Sequence, residues 1–233
     1  MSEFLFTILV FLAFITFLLL LYNNVSVVKK YKLKTEKPCG GLKIVLISDF
    51  HNNKRLLGSI VKKIRACTPD IIIIAGDLVD RRRPDYKTAA LFLSELRGIS
   101  DVYYVTGNHE AVLGREHVIE KLNCSDIVLD ERYKIYDKFS VLGISDRIID
   151  KTQQRRDLLA LFERLDNFKI AVVHRPTEFD REQTISGYDI DLVLCGHVHG
   201  GLIRIPFFGA LLAPDEGFFP KYSKGLYKEN GSV

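Results

Sequence analysis

The 233-residue chain has few of the residues that would tie a fold together covalently. It contains only four cysteines, which lie far apart, and no two of them form a CxxC pair. The sequence therefore gives no basis for a disulfide framework or a thiolate zinc site, and it is compatible with a reducing compartment. Because Cys195 ends an apolar run, we expect it to be a buried free thiol.

Excess positive charge is also scarce. The formal net charge is only +4, and no basic stripe interleaved with aromatic side chains occurs anywhere in the sequence. This balance argues against a nucleic-acid partner, whose phosphates require a concentrated basic surface. Internal repeats and low-complexity segments are absent as well. A chain of this length can form one sizeable core, with little left for a second domain.

Charge is missing altogether from Phe4 to Tyr22, a run of 19 residues. A helix of that length covers roughly 28 Å, close to the hydrocarbon thickness of a bilayer. No basic residue precedes the run and no small-residue cleavage site follows it, which disfavours a removed signal peptide. We therefore predict a transmembrane anchor over residues 1–23.

The segment after this run is basic. Four lysines follow closely, at Lys29, Lys30, Lys32 and Lys34. Since basic flanks tend to stay on the cytoplasmic side of a membrane, we expect the remainder of the chain to face the cytoplasm. The same lysines either rest on anionic headgroups or form a solvated linker. Residues 24–41 are predicted to be a linker with one short strand, from Val27 to Leu33.

From Leu42 onward, apolar strands alternate with amphipathic helices. This alternation predicts an α/β domain over residues 42–233, with helices packed over sheet faces and strands buried on both sides. The strands are expected at Leu42–Ile47, Asp70–Ala75, Val102–Thr106, Ile127–Leu129, Tyr133–Tyr136, Phe139–Ile144, Phe168–Val173 and Ile190–Leu194. The helices are expected at Leu56–Ile64, Lys87–Leu96, Leu113–Leu122 and Arg155–Leu165.

Five of these strands are followed by polar motifs. The motifs are Asp49-Phe50-His51, Gly76-Asp77-Leu78-Val79-Asp80, Gly107-Asn108-His109-Glu110, His174-Arg175 and Gly196-His197-Val198-His199-Gly200. Five of the six histidines lie in them, and only His117 lies elsewhere, in a predicted helix. Because ligands bind at the carboxyl ends of strands in open α/β sheets, these motifs predict a functional site.

Each motif also has a structural interpretation when it is taken alone. An aspartate after a strand is often a helix cap, whereas two alternate histidines between glycines bring no packing benefit. Imidazole, carboxylate and amide groups suit divalent ions such as Mn²⁺, Fe²⁺ and Zn²⁺. Seven candidate ligands are too many for one tetrahedral ion, but they suit two adjacent ions that share one carboxylate.

In this order, the motifs resemble those of the calcineurin-like metallophosphoesterase superfamily, and they are most similar to its membrane-associated bacterial branch of YkuE- and YaeI-type phosphodiesterases. The resemblance implies a four-layer α-β-β-α sandwich preceded by one transmembrane helix. It implies two divalent metal ions, with Asp77 bridging them, Asp49, His51 and His199 on the first, and Asn108, His174 and His197 on the second. It further implies that His109 acts on the substrate phosphate and that Asp80 orients His109.

Members of the superfamily usually continue beyond the Gly-Leu-Tyr segment that lies near the end of this chain, so we expect a C-terminally truncated domain. Arg81 and Arg175 are candidate substrate contacts, and the alternative for Arg81 is a solvated loop. The apolar run from Leu202 to Phe219 either approaches lipid or packs as a hairpin.

The expected activity is hydrolysis of a phosphodiester or pyrophosphate bond in a phosphorylated substrate that is membrane-associated or lipid-linked. A membrane-anchored interaction scaffold with a degenerate site is the alternative from another class. A nuclease or phosphomonoesterase on the same fold is a further alternative.

Overall fold

Two β-sheets pack face to face, and helices cover the outer face of each, which gives the four layers that the sequence predicts. The computed structural model describes residues 2–23, 25–146, 152–178, 185–205, 209–214, 216–228 and 233. Because successive strand residues point to opposite faces, Ile72 and Ile74 pack under helices while Ile71 and Ile73 pack between the sheets.

The first sheet is parallel, with the order β1-β2-β3. Its strands are β1 (Ile44–Ile47), β2 (Ile71–Ala75) and β3 (Asp101–Val105). All five residues of the central strand β2 are buried, which accounts for its run of isoleucines. The helices over its outer face are α2 (Lys54–Cys67), α3 (Tyr86–Arg97) and α5 (Arg115–Leu122).

The second sheet has the order β4-β5-β6-β7, and only the β4–β5 pair is antiparallel. Its strands are β4 (Arg132–Ile135), β5 (Phe139–Ile144), β6 (Phe168–Val173) and β7 (Leu192–Cys195). The predicted bounds of β5 and β6 are confirmed at both ends. Helix α6 (Thr152–Phe162) packs on the outer face.

The two sheets approach closely at Gly143 of β5. A Cβ atom at this position would lie 2.4 Å from the carbonyl oxygen of Leu129 and 2.7 Å from Cγ2 of Val105. Only glycine leaves room for both neighbours, because a side chain would push the two layers apart.

Three predicted elements differ in the structure. The helix expected over Leu113–Leu122 is split into α4 (Asn108–Leu113) and α5 by Gly114, whose φ of +88° interrupts the helical backbone. The strand expected over Val27–Leu33 is not formed, since residues 25–41 contain no strand and Val27 is exposed without a neighbouring strand to pair with. Of the predicted Ile127–Leu129 strand, only an isolated bridge from Val128 to Tyr104 is present.

The N-terminal residues form α1 (Ser2–Asn23), whose described side chains, Glu3 to Phe14, are all exposed. Within the part of the chain that is described, no helix combines the length and apolar character needed to cross a membrane. The predicted transmembrane anchor is therefore not confirmed.

A small antiparallel sheet follows the last predicted site motif, in the order β10-β9-β8. Its strands are β8 (Ile203–Ile205), β9 (Gly209–Ala213) and β10 (Gly217–Phe218). The described part of the Leu202–Phe219 run thus pairs in antiparallel strands, one of its two expected arrangements, with Leu202, Phe218 and Phe219 exposed. Phe207 and Phe208 lie outside the described residues.

Candidate metal centre

The loops after β1, β2, β3, β6 and β7 meet at one edge of the sandwich, because these parallel strands all end there. The structure brings all seven predicted ligands together. Three groups, two of which share His51, each have ligand atoms within 4.8 Å of one another: Asp49, His51 and His199; His51, Asp80 and His109; and Asp77, His174 and His197. The seventh ligand, Asn108, joins the group of Asp77 through its side-chain oxygen, 2.9 Å from Nε2 of His174.

Asp49 is the carboxylate of the first group. Its Oδ1 lies 3.5 Å from Nε2 of His199 and 4.0 Å from Nε2 of His51. Its Oδ2 accepts hydrogen bonds from the Ser48 hydroxyl and from the His197 amide. Oδ1, by contrast, is buried without a hydrogen-bond partner among the described residues. A buried carboxylate oxygen that faces two imidazoles and receives no hydrogen bond has the surroundings expected of a cation ligand.

His174 organises the group that contains Asp77. Its Nδ1 lies 2.8 Å from the carbonyl oxygen of Ala75 and donates to it. The lone pair of the neutral ring is then on Nε2, which faces Oδ1 of Asn108 at 2.9 Å, Nδ1 of His197 at 3.2 Å and Oδ2 of Asp77 at 3.3 Å. Nε2 and the oxygens of Asn108 and Asp77 are all acceptors, so a cation suits the space between them, and nitrogen, carboxylate and amide ligands fit a divalent metal.

A proton on Nε2 of His174 also satisfies this arrangement. Burial opposes charge on His174, but the hydrogen bond and negative charge of Asp77 outweigh it and raise the pKa of His174 to about 9. Burial likewise opposes ionisation of Asp77, yet its bond to His174 lowers the pKa of Asp77 to about 2. Burial, reinforced by the charges of Arg175 and His174, lowers the pKa of His197 to about 3, so that ring is neutral.

Asp77 lies between the two groups of ligands. Its Oδ2 is 3.3 Å from Nε2 of His174 and 4.0 Å from Nε2 of His51. Its Oδ1 accepts the backbone N–H of His109 at 2.9 Å, which fixes the carboxylate plane. This is the position that a shared carboxylate needs.

The backbone of the centre is strained. Five of the candidate ligands have φ in the left-handed region, namely Asp49 (54°), His51 (47°), Asp77 (53°), His197 (71°) and His199 (51°). Non-glycine residues avoid this region at a cost on the order of 1 kcal/mol or more each, and such residues concentrate at functional sites. Neighbouring glycines make the turns possible: a Cβ at Gly107 would lie 2.3 Å from Oδ1 of Asp77.

His109 lies beside Asp80, the residue expected to orient it. Its Nδ1 accepts the backbone N–H of Arg81 at 3.0 Å, while Oδ1 of Asp80 lies 3.5 Å from Nδ1 and accepts the N–H of Arg82. The hydrogen bond at Nδ1 therefore comes from a backbone donor. Burial, with the charge of Arg81, lowers the pKa of His109. The neutral ring then carries its proton on Nε2.

A cavity of about 320 Å³ opens over the centre. Both predicted substrate arginines line it, but they differ in setting. Arg175 is buried, donates from Nε to Oδ1 of Asp146 at 2.7 Å, and places Nη1 3.2 Å from Nε2 of His197. Arg81 is exposed at the cavity rim, and Val112 and Pro214 add apolar surface there.

The family is decided by comparison with known domains. Residues 42–201 match the model of the calcineurin-like phosphoesterase domain, which is more than half of the chain. The chain belongs to the calcineurin-like phosphoesterase family.

Relatives of this metallophosphoesterase occur in bacteria and animals. An uncharacterized metallophosphoesterase of Helicobacter pylori strain J99 is 30% identical, over 88% of this chain and 56% of the relative. The metallophosphoesterase YkuE of Bacillus subtilis is 27% identical, over 81% and 68%. A Bos taurus protein named transmembrane protein with metallophosphoesterase domain is 29% identical, over 79% and 48%. The chain thus spans about half the length of several curated relatives that it matches.

Among solved structures, TT1561 of Thermus thermophilus has a TM-score of 0.51 at 17% identity, over 66% of this chain and 81% of that one. This likeness shows the shared fold alone.

Sequence reasoning missed two acidic residues of this metallophosphoesterase site. Asp146 lines the cavity and pairs with Arg175. It follows β5 as the other site residues follow their strands, so the same strand-end rule could have found it. Glu110 lies inside a recognised motif, but its role depends on where its side chain reaches, which the motif does not specify.

Proposed function

We propose that the chain is a binuclear-metal-dependent phosphoesterase that hydrolyses phosphodiester or pyrophosphate bonds. The observation that carries the proposal is the position of one carboxylate, Asp77, between two groups of ligand atoms. In the proposed assignment Asp77 is shared, Asp49, His51 and His199 hold one ion, and Asn108, His174 and His197 hold the other. Mn²⁺, Fe²⁺ or Zn²⁺ suits this mixture of donors.

When bound, such a pair of ions supplies positive charge that activates water and neutralises phosphoryl oxygens. The chain's own residues supply position and hydrogen bonds. Since the Arg81 amide occupies Nδ1 of His109, the neutral ring presents Nε2–H, 3.7 Å from Oδ2 of Asp77. We assign this N–H to a hydrogen bond with the leaving oxygen of the substrate, whose developing negative charge it would stabilise, and the proton that this oxygen takes up would come from water.

Arg175 is proposed to bind the substrate phosphate. Asp146 holds Nε of its guanidinium, so the group is already oriented within the cavity, and less ordering is required when substrate binds. Arg81 would attract the substrate from the rim, where solvent screens its charge.

The test is hydrolysis of bis(4-nitrophenyl) phosphate by the full chain in detergent with Mn²⁺. Asp77→Ala should abolish activity. His117→Ala should not change it, because His117 is exposed, and the one ring contact described for it is with Tyr86. Full activity in excess chelator would refute the proposal. Metal analysis of the purified chain distinguishes this enzyme from the alternative of an interaction scaffold, because a scaffold need not hold close to two ions per chain.

We further propose that the substrate is membrane-associated or lipid-linked and that α1 holds the domain at the membrane, on its cytoplasmic side. The support is the exposed apolar surface of α1 and of the small sheet beyond His199, where Leu202, Phe218 and Phe219 are 59%, 71% and 78% exposed. Exposed apolar surface beside a polar site is typical of binding to lipid or to another protein.

Two measurements test this part. Anionic liposomes should carry the full chain to the top of a flotation gradient and should not carry a version that lacks residues 1–23. The double variant Phe218→Ser/Phe219→Ser should raise KM for a lipid pyrophosphate and leave the KM for bis(4-nitrophenyl) phosphate unchanged. Equal KM effects on both substrates, or a full chain that does not float with the liposomes, would contradict it.

A further inference from the structure

Glu110 is a buried carboxylate for which the metal-ligand assignment has no use. It is the third residue of α4 and is fully buried, with 0% of its surface exposed. Glutamate is almost never fully buried unless it is paired. Among the described residues, no cationic side chain forms an ion pair with it, and three backbone amides donate hydrogen bonds to it.

The three backbone amides belong to two different loops. Oε2 accepts the N–H of Gly107 at 2.8 Å and the N–H of Asp77 at 3.0 Å, and Oε1 accepts the N–H of Val79 at 2.9 Å. Gly107 belongs to the loop after β3, whereas Asp77 and Val79 belong to the loop after β2. One carboxylate therefore joins two loops that are about thirty residues apart in sequence.

These two loops carry residues assigned to both ions and to the leaving group. The β2 loop contains Asp77, whose φ of +53° holds it in a strained conformation. The β3 loop ends at Gly107 and leads directly into α4, whose first two residues are Asn108 and His109. Without a common acceptor, the amides of Asp77, Val79 and Gly107 would be buried and unpaired, and each would favour a different path of its loop.

We propose that Glu110 is a positioning residue, which fixes the shared carboxylate of Asp77 relative to Asn108 and His109. The inference rests on the proposed binuclear site and adds a residue to it. A simple helix cap would explain only the bond to Gly107, which is of the kind that the glutamate of a capping box makes at the start of a helix. The bonds to Asp77 and Val79 leave the helix and are explained by joining the loops.

The experiment compares Glu110→Gln and Glu110→Ala with a matched control, Asp191→Asn. Glutamine can keep a carbonyl oxygen in place of Oε2, but it then turns its NH₂ group against the Val79 N–H. Asp191 is also an acid that accepts a backbone amide, that of Lys169 at 2.8 Å, yet it precedes β7 at the opposite end of the sheet. Mn²⁺ is titrated calorimetrically into the metal-free full chain, and thermal unfolding of the same samples is recorded.

We expect Glu110→Gln to weaken Mn²⁺ binding about 10-fold and Glu110→Ala about 100-fold, the range found when groups that orient metal ligands are removed. Asp191→Asn should lower Tm and leave the Mn²⁺ affinity unchanged. If Glu110→Ala fails to fold, Glu110→Gln still decides the question.

Two outcomes overturn the inference. In the first, folded Glu110→Gln binds two ions with wild-type affinity. In the second, Asp191→Asn weakens Mn²⁺ binding as much as Glu110→Gln, which would make the effect one of general stability. A wild-type chain that binds fewer than two ions would instead refute the binuclear proposal, so the two failures are distinguishable.

Discussion

Metal binding at pH 8 should release about one proton per chain from His174, in addition to any proton that the activated water loses, because the raised pKa of His174 leaves its ring protonated before metal binds. Its Nε2 faces the oxygens of Asn108 and Asp77 while its Nδ1 is committed to the carbonyl of Ala75. A metal ion can bind Nε2 only after that proton leaves. His51 and His197 contribute no proton, since burial lowers the pKa of each.

The magnitude follows from the pKa of about 9 for His174. About nine-tenths of the rings are protonated at pH 8, and at pH 7 removal of the proton costs ~2.7 kcal/mol. Mn²⁺ affinity should therefore rise about tenfold per pH unit until pH 9 and then level off. Glu110 contributes little to the proton count at pH 8. Burial and the charge of Asp77 raise its pKa to about 7, so most of the carboxyl group is already ionised at pH 8.

The stability of the metal-free protein should change in the opposite direction. The folded-state pKa of His174 exceeds its ordinary value of 6.5, so its stabilising contribution is fully present below pH 6.5 and is lost as the pH rises through 9. The increase in Tm that Mn²⁺ produces should consequently become larger as the pH rises from 6.5 to 9.

The assay is calorimetric titration of Mn²⁺ at pH 8 in buffers that differ in ionisation enthalpy, because the slope of heat against that enthalpy counts the protons released. His174→Asn should lose the release and weaken one site, and His117→Ala should retain both. Binding heats that do not depend on the buffer, with an affinity that is flat from pH 7 to pH 9, would refute the protonated state of His174.

Two further predictions concern glycines at close contacts, and a third concerns Arg175. Gly107→Ala places a Cβ 2.3 Å from Oδ1 of Asp77, so Mn²⁺ binding should weaken at least tenfold in calorimetry, and wild-type binding would contradict this. Gly143→Ala forces a Cβ against Leu129, so urea unfolding should show a loss of ~1–3 kcal/mol with metal stoichiometry unchanged. Arg175→Met should raise KM for a phosphodiester about 10-fold or more while two ions remain bound; an unchanged KM would remove Arg175 from the substrate site.

Much of the fold could be predicted because short apolar runs with polar boundaries mark buried strands. The ends of β5 and β6 match the sequence pattern for this reason. Two features depend on tertiary context instead. The break at Gly114 arises from a left-handed backbone angle, and Val27–Leu33 has strand-forming residues but no neighbouring strand with which to pair.

The membership of the candidate site could be predicted because parallel strands end at a common edge, which brings distant motifs such as Asp49 and His199 together. Its hydrogen bonding could not. Nδ1 of His109 lies 3.0 Å from the amide nitrogen of Arg81 and 3.5 Å from Oδ1 of Asp80. A small change in the path of this one loop would decide which of the two it contacts, and the sequence does not specify that path. The pairing of Arg175 with Asp146 likewise depends on two loops from different strands.

The strained backbone explains why the site needs so rigid a frame. Each left-handed ligand residue, such as Asp77 or His197, would relax to an ordinary conformation if its loop were free, and the ligands would then move apart. The strand ends on either side of each loop are held by the buried core between the sheets, and the amides of the β2 loop are held by Glu110. Because the packing and these hydrogen bonds offset part of the strain, they hold the ligand-bearing loops in the positions that two ions would need.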